Sequence, residues 1–149
     1  MPMASLPESG EDEVFAPPPS ALEPLRGQGR ALVAVAVGGV LGALARYGVG
    51  LLLPHRSGMF PLGTLLINVL GGFLIGVVID GVAARPLLRP FAVTGILGGF
   101  TTFSTYAVDT EQLLATGRLG TAVAYLVGTL VGALVATWVG LALARLVRR

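Results

Sequence analysis

The segment Gly95-Ile-Leu-Gly-Gly-Phe-Thr-Thr-Phe-Ser-Thr-Tyr106 lies inside an apolar stretch, residues 91–114, that is long enough to cross a membrane. A hydrocarbon core of about 30 Å takes about 20 helical residues. Three glycines and a cluster of hydroxyl residues disfavour a continuous helix here, because they weaken it and compete for its backbone hydrogen bonds. Carbonyls freed by a break cannot face lipid, so they must be buried, line a wet cavity or coordinate an ion. The segment therefore predicts a helix broken near mid-membrane and a role in ion handling.

The composition of the whole chain indicates a small polytopic membrane protein. Of its 149 residues 54% are hydrophobic and 12% are charged, and the mean hydropathy is +0.82. The ten arginines fall at helix ends and loops, without interleaved aromatics, so nucleic acid is not an expected partner. The absence of cysteine and the single histidine exclude disulfides and Cys/His metal clusters. No nucleophile with a base and no carboxylate pair can be assembled, so an enzyme is not expected.

Two regions follow from the distribution of charge and apolar residues. Residues 1–29 hold five of the eight acidic residues and six prolines, which predicts a disordered tail. Residues 30–149 contain four apolar segments, approximately 31–53, 61–82, 91–114 and 119–147. The predicted fold class is an all-α membrane protein with four transmembrane helices, of which the third is broken.

Two polar residues interrupt the first two segments. Arg46 lies about 22 Å along the first helix, where it is either an interfacial anchor or the cation of a water-filled vestibule. Asn68 shares a helix face with Gly72 and Gly76. Its amide either holds two helices together or donates to a passing anion.

Aromatic and hydroxyl residues mark the last two segments. Phe103 and Tyr106 are three apart, so their rings either pack in the core or present electropositive edges to an anion. Tyr125 and Thr129 form a hydroxyl stripe one turn apart. Asp109 lies close to the membrane exit and is given no role, so no carboxylate is expected at mid-membrane. Small residues predict close helix approach at two places: Gly38, Gly39 and Gly42, and Gly128 and Gly132.

Three runs in the sequence carry a resemblance to a known family. They are Gly38-Gly-Val-Leu-Gly-Ala-Leu-Ala-Arg-Tyr47, Gly63-Thr-Leu-Leu-Ile-Asn-Val-Leu-Gly71 and Gly98-Gly-Phe-Thr-Thr-Phe-Ser-Thr-Tyr106. The chain from residue 31 to about 147 closely resembles the Fluc (CrcB) fluoride channels, and the third run is the most specific.

The resemblance implies a passive fluoride channel of the cell membrane that lowers cytoplasmic fluoride. It also implies an antiparallel dimer with two pores and one central, structural sodium ion held by the backbone carbonyls of Gly98 and Thr101. The implied pore roles are an amide (Asn68), two rings of an aromatic box (Phe103 and Tyr106), a hydroxyl track (Ser104, Thr105 and Thr129), a pore-side tyrosine (Tyr125) and a vestibule cation (Arg46). Two positions depart from the family pattern: Tyr106 stands where phenylalanine is usual, and Ala133 stands where the hydroxyl track usually continues.

Two other classes remain as alternatives, namely a proton-coupled multidrug or guanidinium exporter and a non-transporting membrane scaffold.

The distribution of the arginines leaves the identity of the dimer partner open. Seven lie on the side of the amino terminus and at most three on the other side, and such a bias favours one orientation in the membrane. An antiparallel homodimer and a heterodimer with an oppositely inserted homologue are therefore both retained.

Overall fold

A computed structural model describes residues 28–54 and 58–148. Nearly all of the predicted tail lies outside these described residues. The helices are α1 (Gly29–Leu52), α2 (Leu62–Val82), α3 (Pro90–Leu97 with π-helical bonding, continued as α-helix over Gly98–Phe100), α4 (Ser104–Ala115) and α5 (Leu119–Val147). Within the described residues four spans are long and apolar enough to cross a membrane, and the third, Pro90–Ala115, comprises α3 and α4. The prediction of an all-α, multi-pass membrane protein with a broken third helix is confirmed.

The spans alternate in direction, so four helix ends meet at one membrane face. We call this the terminal face and define it as residues 28–30, 83–90 and 145–148. Two contacts join the end of α5 to the end of α2: Arg145 Nε donates to Asp80 Oδ2 at 3.0 Å, and Arg148 Nη2 donates to the Val77 carbonyl at 3.3 Å. Asp80 is thus an exposed ion-pair partner at the interface, in line with its position at the end of α2.

Glycines determine how closely the spans approach. A Cβ added at Gly42 would overlap the Ile96 carbonyl oxygen, and one at Gly38 would overlap the Phe91 carbonyl oxygen. The backbones of α1 and α3 are therefore in direct contact, as the small-residue spacing in α1 predicts. A Cβ added at Gly76 would overlap the Thr137 carbonyl oxygen, so α2 and α5 pack in the same way.

The second predicted glycine pair makes no backbone contact in this protomer, and only Gly132 lies close to another helix. A Cβ added at Gly128 would meet nothing within 4 Å, and one at Gly132 would meet only the Val69 side chain. The close contact of α5 lies instead at Gly140, where an added Cβ would overlap the Phe73 carbonyl oxygen. The packing register of α5 on α2 decides which glycine faces the neighbouring backbone, and spacing within one helix does not contain that register.

The turn after α4 sets α5 against it. Gly117 has φ +72°, a conformation that side-chain-bearing residues rarely adopt. Its N–H donates to the Leu114 carbonyl, and the N–H of Arg118 donates to the Leu113 carbonyl, each at 2.9 Å. This pair of bonds is a Schellman motif. The reversal brings α5 back along α4, which places Tyr125 beside the second half of the third span.

Candidate functional site

The break in the third span is held open by side chains that replace helical hydrogen bonds. Thr101 is extended, with φ −71° and ψ 158°. In a continuous helix the Thr102 N–H would donate to the Gly98 carbonyl, and the Thr105 N–H to the Thr101 carbonyl. Here Thr102 N donates to Asn68 Oδ1 at 2.9 Å, and Thr105 N donates to Thr102 Oγ1 at 3.2 Å. The carbonyls of Gly98 and Thr101 have therefore lost their helical donors.

The side-chain amide of Asn68 binds α2 to this break through both its oxygen and its nitrogen. Besides accepting from Thr102 N, it donates from Nδ2 to the Thr102 carbonyl at 3.0 Å. These hydrogen bonds join two helices, which is the first of the two roles predicted for the Asn68 amide. An amide nitrogen carries two N–H groups, so one donor remains beyond the bond to Thr102. Donation from Asn68 to an anion stays a prediction.

The carbonyls freed by the break suit a hard cation. Gly98 is exposed in the protomer and Thr101 is half-buried. The Thr101 hydroxyl donates to the Leu97 carbonyl at 2.9 Å, so the backbone carbonyl is the oxygen left over at that residue. Arg46 Nη1 lies 3.5 Å from it, at the outer limit of a hydrogen bond. Hard oxygen donors of this kind fit an alkali cation. Gly98 and Thr101 are thus chemically able to hold sodium, and the weak Arg46 contact leaves a second lone pair on the Thr101 carbonyl.

Thr102 is the central residue of the break, and it was not among the predicted site residues. Its buried hydroxyl accepts from the Thr105 amide, donates to Thr105 Oγ1 at 3.1 Å and lies 3.4 Å from Ser104 Oγ. It thereby satisfies a backbone donor that the first turn of α4 leaves open. A threonine just before a helix is a capping signal, and this signal was available in the sequence.

One cavity, of about 390 Å³, opens beside the break. Its wall includes Asn68, Thr102, Phe103, Tyr106 and Thr129. Thr129 is only 3% exposed, yet its hydroxyl makes no hydrogen bond to any residue that the structure describes. A buried hydroxyl without a partner costs about 1–3 kcal/mol. The cavity wall therefore combines an amide, two aromatic rings and a threonine whose buried hydroxyl is unsatisfied.

A second cavity, of about 350 Å³, lies across the break from the first. Arg46, Thr64, Thr102 and Thr105 line it. Because Thr102 contributes to both walls, the break is the partition between the two cavities. Arg46 is half-buried at this depth and borders open space. This location is compatible with the vestibule interpretation, and the role itself stays a prediction.

The aromatic residues form a connected row rather than isolated contacts. The ring centroids of Phe103 and Tyr106 are 5.8 Å apart and those of Tyr106 and Tyr125 are 5.5 Å apart. Phe103 is 79% exposed in the protomer, so its ring forms part of an outward-facing wall. The hydroxyl of Tyr106 donates to the Leu126 carbonyl at 2.8 Å. This bond directs the extra polar group of Tyr106 to α5, and the ring keeps the edge that phenylalanine would offer.

Asp109 was wrongly assigned no role. It is 4% exposed and accepts hydrogen bonds from Thr64 Oγ1 at 2.7 Å and Tyr125 OH at 3.1 Å. Tyr125 is fully buried, and this bond commits its hydroxyl to Asp109. A buried carboxylate needs such donors, and they come from α2 and α5. The sequence shows only how far Asp109 lies from the end of its helix, so neighbours from other spans could not be read from it.

Comparison with known proteins identifies the family. Residues 33–141 match the family model described as "CrcB-like protein, Camphor Resistance (CrcB)". Fluoride-specific ion channel FluC 2 of Streptomyces avermitilis is 50% identical over 107 residues, which cover 69% of this chain and 68% of that protein. FluC 1 of Streptomyces coelicolor is 51% identical over 108 residues, 70% of each chain. FluC of Paracoccus denitrificans is 45% identical over 113 residues, 74% of this chain and 91% of the relative. The matched region contains the break and both cavities, and the chain belongs to the CrcB family.

Proposed function

We propose that this chain is a fluoride-specific ion channel that exports fluoride passively across the cell membrane. The observation that carries the proposal is the cavity at the break, whose wall brings together the Asn68 amide, the rings of Phe103 and Tyr106, and Thr129. The buried hydroxyl of Thr129 makes no hydrogen bond to any described residue. The relatives named as fluoride-specific ion channels support it. A channel function also agrees with the prediction that the chain is not an enzyme.

The cavity wall supplies what a strongly hydrated anion requires. Removing an ion from water is costly, so a pore must replace the lost hydrogen bonds with closely spaced donors. Asn68 has an N–H beyond its bond to Thr102, and Thr129 has a hydroxyl without a partner. Ring edges carry partial positive charge and add favourable contacts. The hydroxyls of Ser104 and Thr105 lie 3.4 and 3.1 Å from the Thr102 hydroxyl, and Thr105 lines the second cavity.

The exporter alternative depends on a membrane-embedded carboxylate that exchanges protons. Asp109 is such a buried carboxylate, but two hydroxyls already bind it, and the relatives are named as channels. The test is fluoride efflux from liposomes containing the purified chain, with chloride as the control ion. We expect rapid fluoride efflux that needs no proton gradient. Dependence on a proton gradient would favour the exporter, and absence of efflux would favour the scaffold.

Phe103 and Tyr106 provide a matched pair of variants for the ring edges. We expect Phe103→Ile to lower fluoride efflux at least about tenfold, because it keeps apolar bulk but removes the electropositive edge. Tyr106→Phe should leave efflux within about twofold of the original, because the lost hydroxyl contacts Leu126 and the ring edge remains. Efflux rates from matched liposomes, corrected for the amount of assembled protein, measure both. Equal efflux from Phe103→Ile and the unchanged chain would reduce Phe103 to a packing residue.

We further propose that the Gly98 and Thr101 carbonyls hold one structural sodium ion. The support is that both carbonyls lack their helical donors, as the bonds of Thr102 and Thr105 show. The ion would take the place of the helical donors that these carbonyls have lost and so stabilise the break, without being transported.

Sodium removal tests this site. Replacing sodium with N-methylglucamine should lower the thermal midpoint of the purified protein by several degrees and reduce efflux, since a ligand bound only by the folded state stabilises it. Thr101→Ala should retain the sodium dependence, because the carbonyl remains. An unchanged midpoint and unchanged efflux after exhaustive sodium removal would contradict the proposal.

We also propose that a second protomer, inserted antiparallel, completes the pore. The support is that Phe103 and Gly98 are exposed in the isolated protomer although they belong to the site.

The arginines bear on the identity of this partner. The described arginines at the terminal face are Arg30, Arg85, Arg89, Arg145 and Arg148, and Arg118 lies at the opposite face. Such a bias favours one orientation, so a heterodimer with an oppositely inserted homologue remains the alternative to a homodimer.

Orientation mapping distinguishes the two dimers. The chain has no cysteine, so a single cysteine introduced at the terminal face reports orientation without background. A homodimer of antiparallel copies predicts equal labelling by an impermeant maleimide from both sides of the membrane, together with efflux from the lone polypeptide. Labelling from one side only, with efflux restored by a homologue, would establish the heterodimer.

A further inference from the structure

The terminal face carries arginines that no described residue neutralises. Among residues 28–54 and 58–148, Asp80 pairs with Arg145, whereas Arg30, Arg85 and Arg89 form no hydrogen bond or ion pair with an acidic side chain. The N–H of Arg89 donates to the Arg85 carbonyl, so these two residues are one helical turn apart. We call Arg30, Arg85 and Arg89 the basic rim. All three are exposed positive charges at the terminal face.

An apolar groove lies beside Arg30, one member of the basic rim. A space of about 560 Å³ is lined by Gly29, Arg30, Val33, Ala34 and Leu87. Leu87 lies between Arg85 and Arg89 in the sequence, so the groove and the rim share the same loop. A ligand that fits this surface must combine an apolar group for the floor with negative charge for the rim.

The chain itself contains a segment of that chemistry. Residues 11–15 read Glu-Asp-Glu-Val-Phe, three consecutive carboxylates followed by two apolar side chains. We call this segment the acidic motif. Twelve residues lie between Phe15 and Gln28, the first described residue, and the thirteen Cα–Cα steps from one to the other span at most about 45 Å when extended. The groove begins at Gly29, so the acidic motif is within reach, and tethering keeps its effective concentration near millimolar.

We propose that the acidic motif docks on the terminal face of its own chain, with Val14 and Phe15 in the groove and the three carboxylates on the basic rim. Charge complementarity and the short tether carry the assignment, because α1 begins at this face and the acidic motif precedes it in the same chain. Exposed ion pairs are individually weak and are screened by salt, so docking depends on several pairs acting together. The docked segment neutralises the basic rim and fills the groove between α1 and the loop before α3.

Disulfide exchange within the intact chain measures docking directly. Ser9→Cys and Ala84→Cys place one thiol beside the acidic motif and one beside Arg85, in a chain without other cysteines. Equilibration with glutathione in phosphatidylcholine vesicles gives the effective concentration of one thiol at the other. Neutralising the motif (Glu11→Gln, Asp12→Asn, Glu13→Gln) should lower it about fivefold, as should 0.5 M salt, because each removes several weak ion pairs. Glu111→Gln, an exposed carboxylate on α4, is the matched control and should leave it unchanged.

A double-mutant cycle separates pairing from general charge effects. Arg85→Gln with Arg89→Gln should lower the effective concentration to a similar extent, and combining these changes with the neutralised motif should lower it little further. Effective concentrations that are equal with and without the motif charges, or fully additive losses, would overturn the proposal. In that outcome, the labelling of Ala84→Cys by a thiol reagent would be compared in two kinds of vesicle. Protection of this cysteine in phosphatidylglycerol vesicles but not in phosphatidylcholine vesicles would assign the basic rim to lipid headgroups instead.

Discussion

Gly42→Ala is expected to destabilise the folded protein severely. The added methyl would overlap the Ile96 carbonyl oxygen and lie 2.8 Å from the Phe100 nitrogen. Both obstacles are backbone atoms, so no side chain can rotate away and α1 must separate from α3. Overpacking usually costs about 1–3 kcal/mol, and displacement of a whole helix exceeds that range. We expect a loss of more than about 3 kcal/mol, out of a total stability of about 5–15 kcal/mol. Size-exclusion chromatography and thermal unfolding in detergent measure the loss.

Gly48→Ala in the same helix is the matched control. A Cβ at Gly48 would meet nothing within 4 Å. Alanine also has a better helix propensity than glycine by about 1 kcal/mol. The yield of monodisperse protein from Gly48→Ala should therefore equal or exceed that of the unchanged chain. If the two substitutions lowered the yield equally, the loss would reflect the insertion of α1 into the membrane rather than its contact with α3.

Much of this architecture could be predicted because it depends on local sequence. The length and apolarity of each segment determine the four spans, since a bilayer demands about 20 helical residues. The break could be predicted as well, because glycines and hydroxyl residues weaken a helix where they stand. The contact at Gly42 follows from small residues four apart on one face of α1.

What escaped prediction depends on how one helix is positioned against another. Gly128 and Gly140 both look suitable for close packing, and only the register of α5 on α2 selects Gly140. The position of Asp109 near the end of its segment suggests an interfacial residue. Its donors Thr64 and Tyr125 lie 45 and 16 residues away, so its burial could not be read from its own segment. The bonds from Asn68 to the Thr102 backbone bridge 34 residues. Positions along one segment do not determine such contacts, so the site was predicted mainly by residue type and through family resemblance.

Asn68→Ala is expected to give the largest loss of fluoride efflux. It removes both bonds to Thr102 and leaves a backbone N–H and a carbonyl of the break without their partner. Two unpaired groups cost about 2 kcal/mol or more, and 1.4 kcal/mol corresponds to a factor of ten. This cost lowers the fraction of molecules in which the break keeps its conformation, and efflux falls in the same proportion as that fraction. We therefore expect at least about a 30-fold loss in liposome efflux, corrected for assembled protein.

Asn68→Asp separates the two roles of this amide. Aspartate keeps an oxygen that accepts from Thr102 N, but it loses the N–H donors and places a carboxylate on the cavity wall. The Asp variant should therefore assemble better than Asn68→Ala and yet conduct no better, because the carboxylate repels an anion. Thr116→Ala, which removes an exposed hydroxyl bonded within its own helix, controls for the loss of a polar group elsewhere. If Asn68→Asp conducted like the unchanged chain, the amide would serve only to hold the break, and the donors to fluoride would have to be the hydroxyls of α4 and α5.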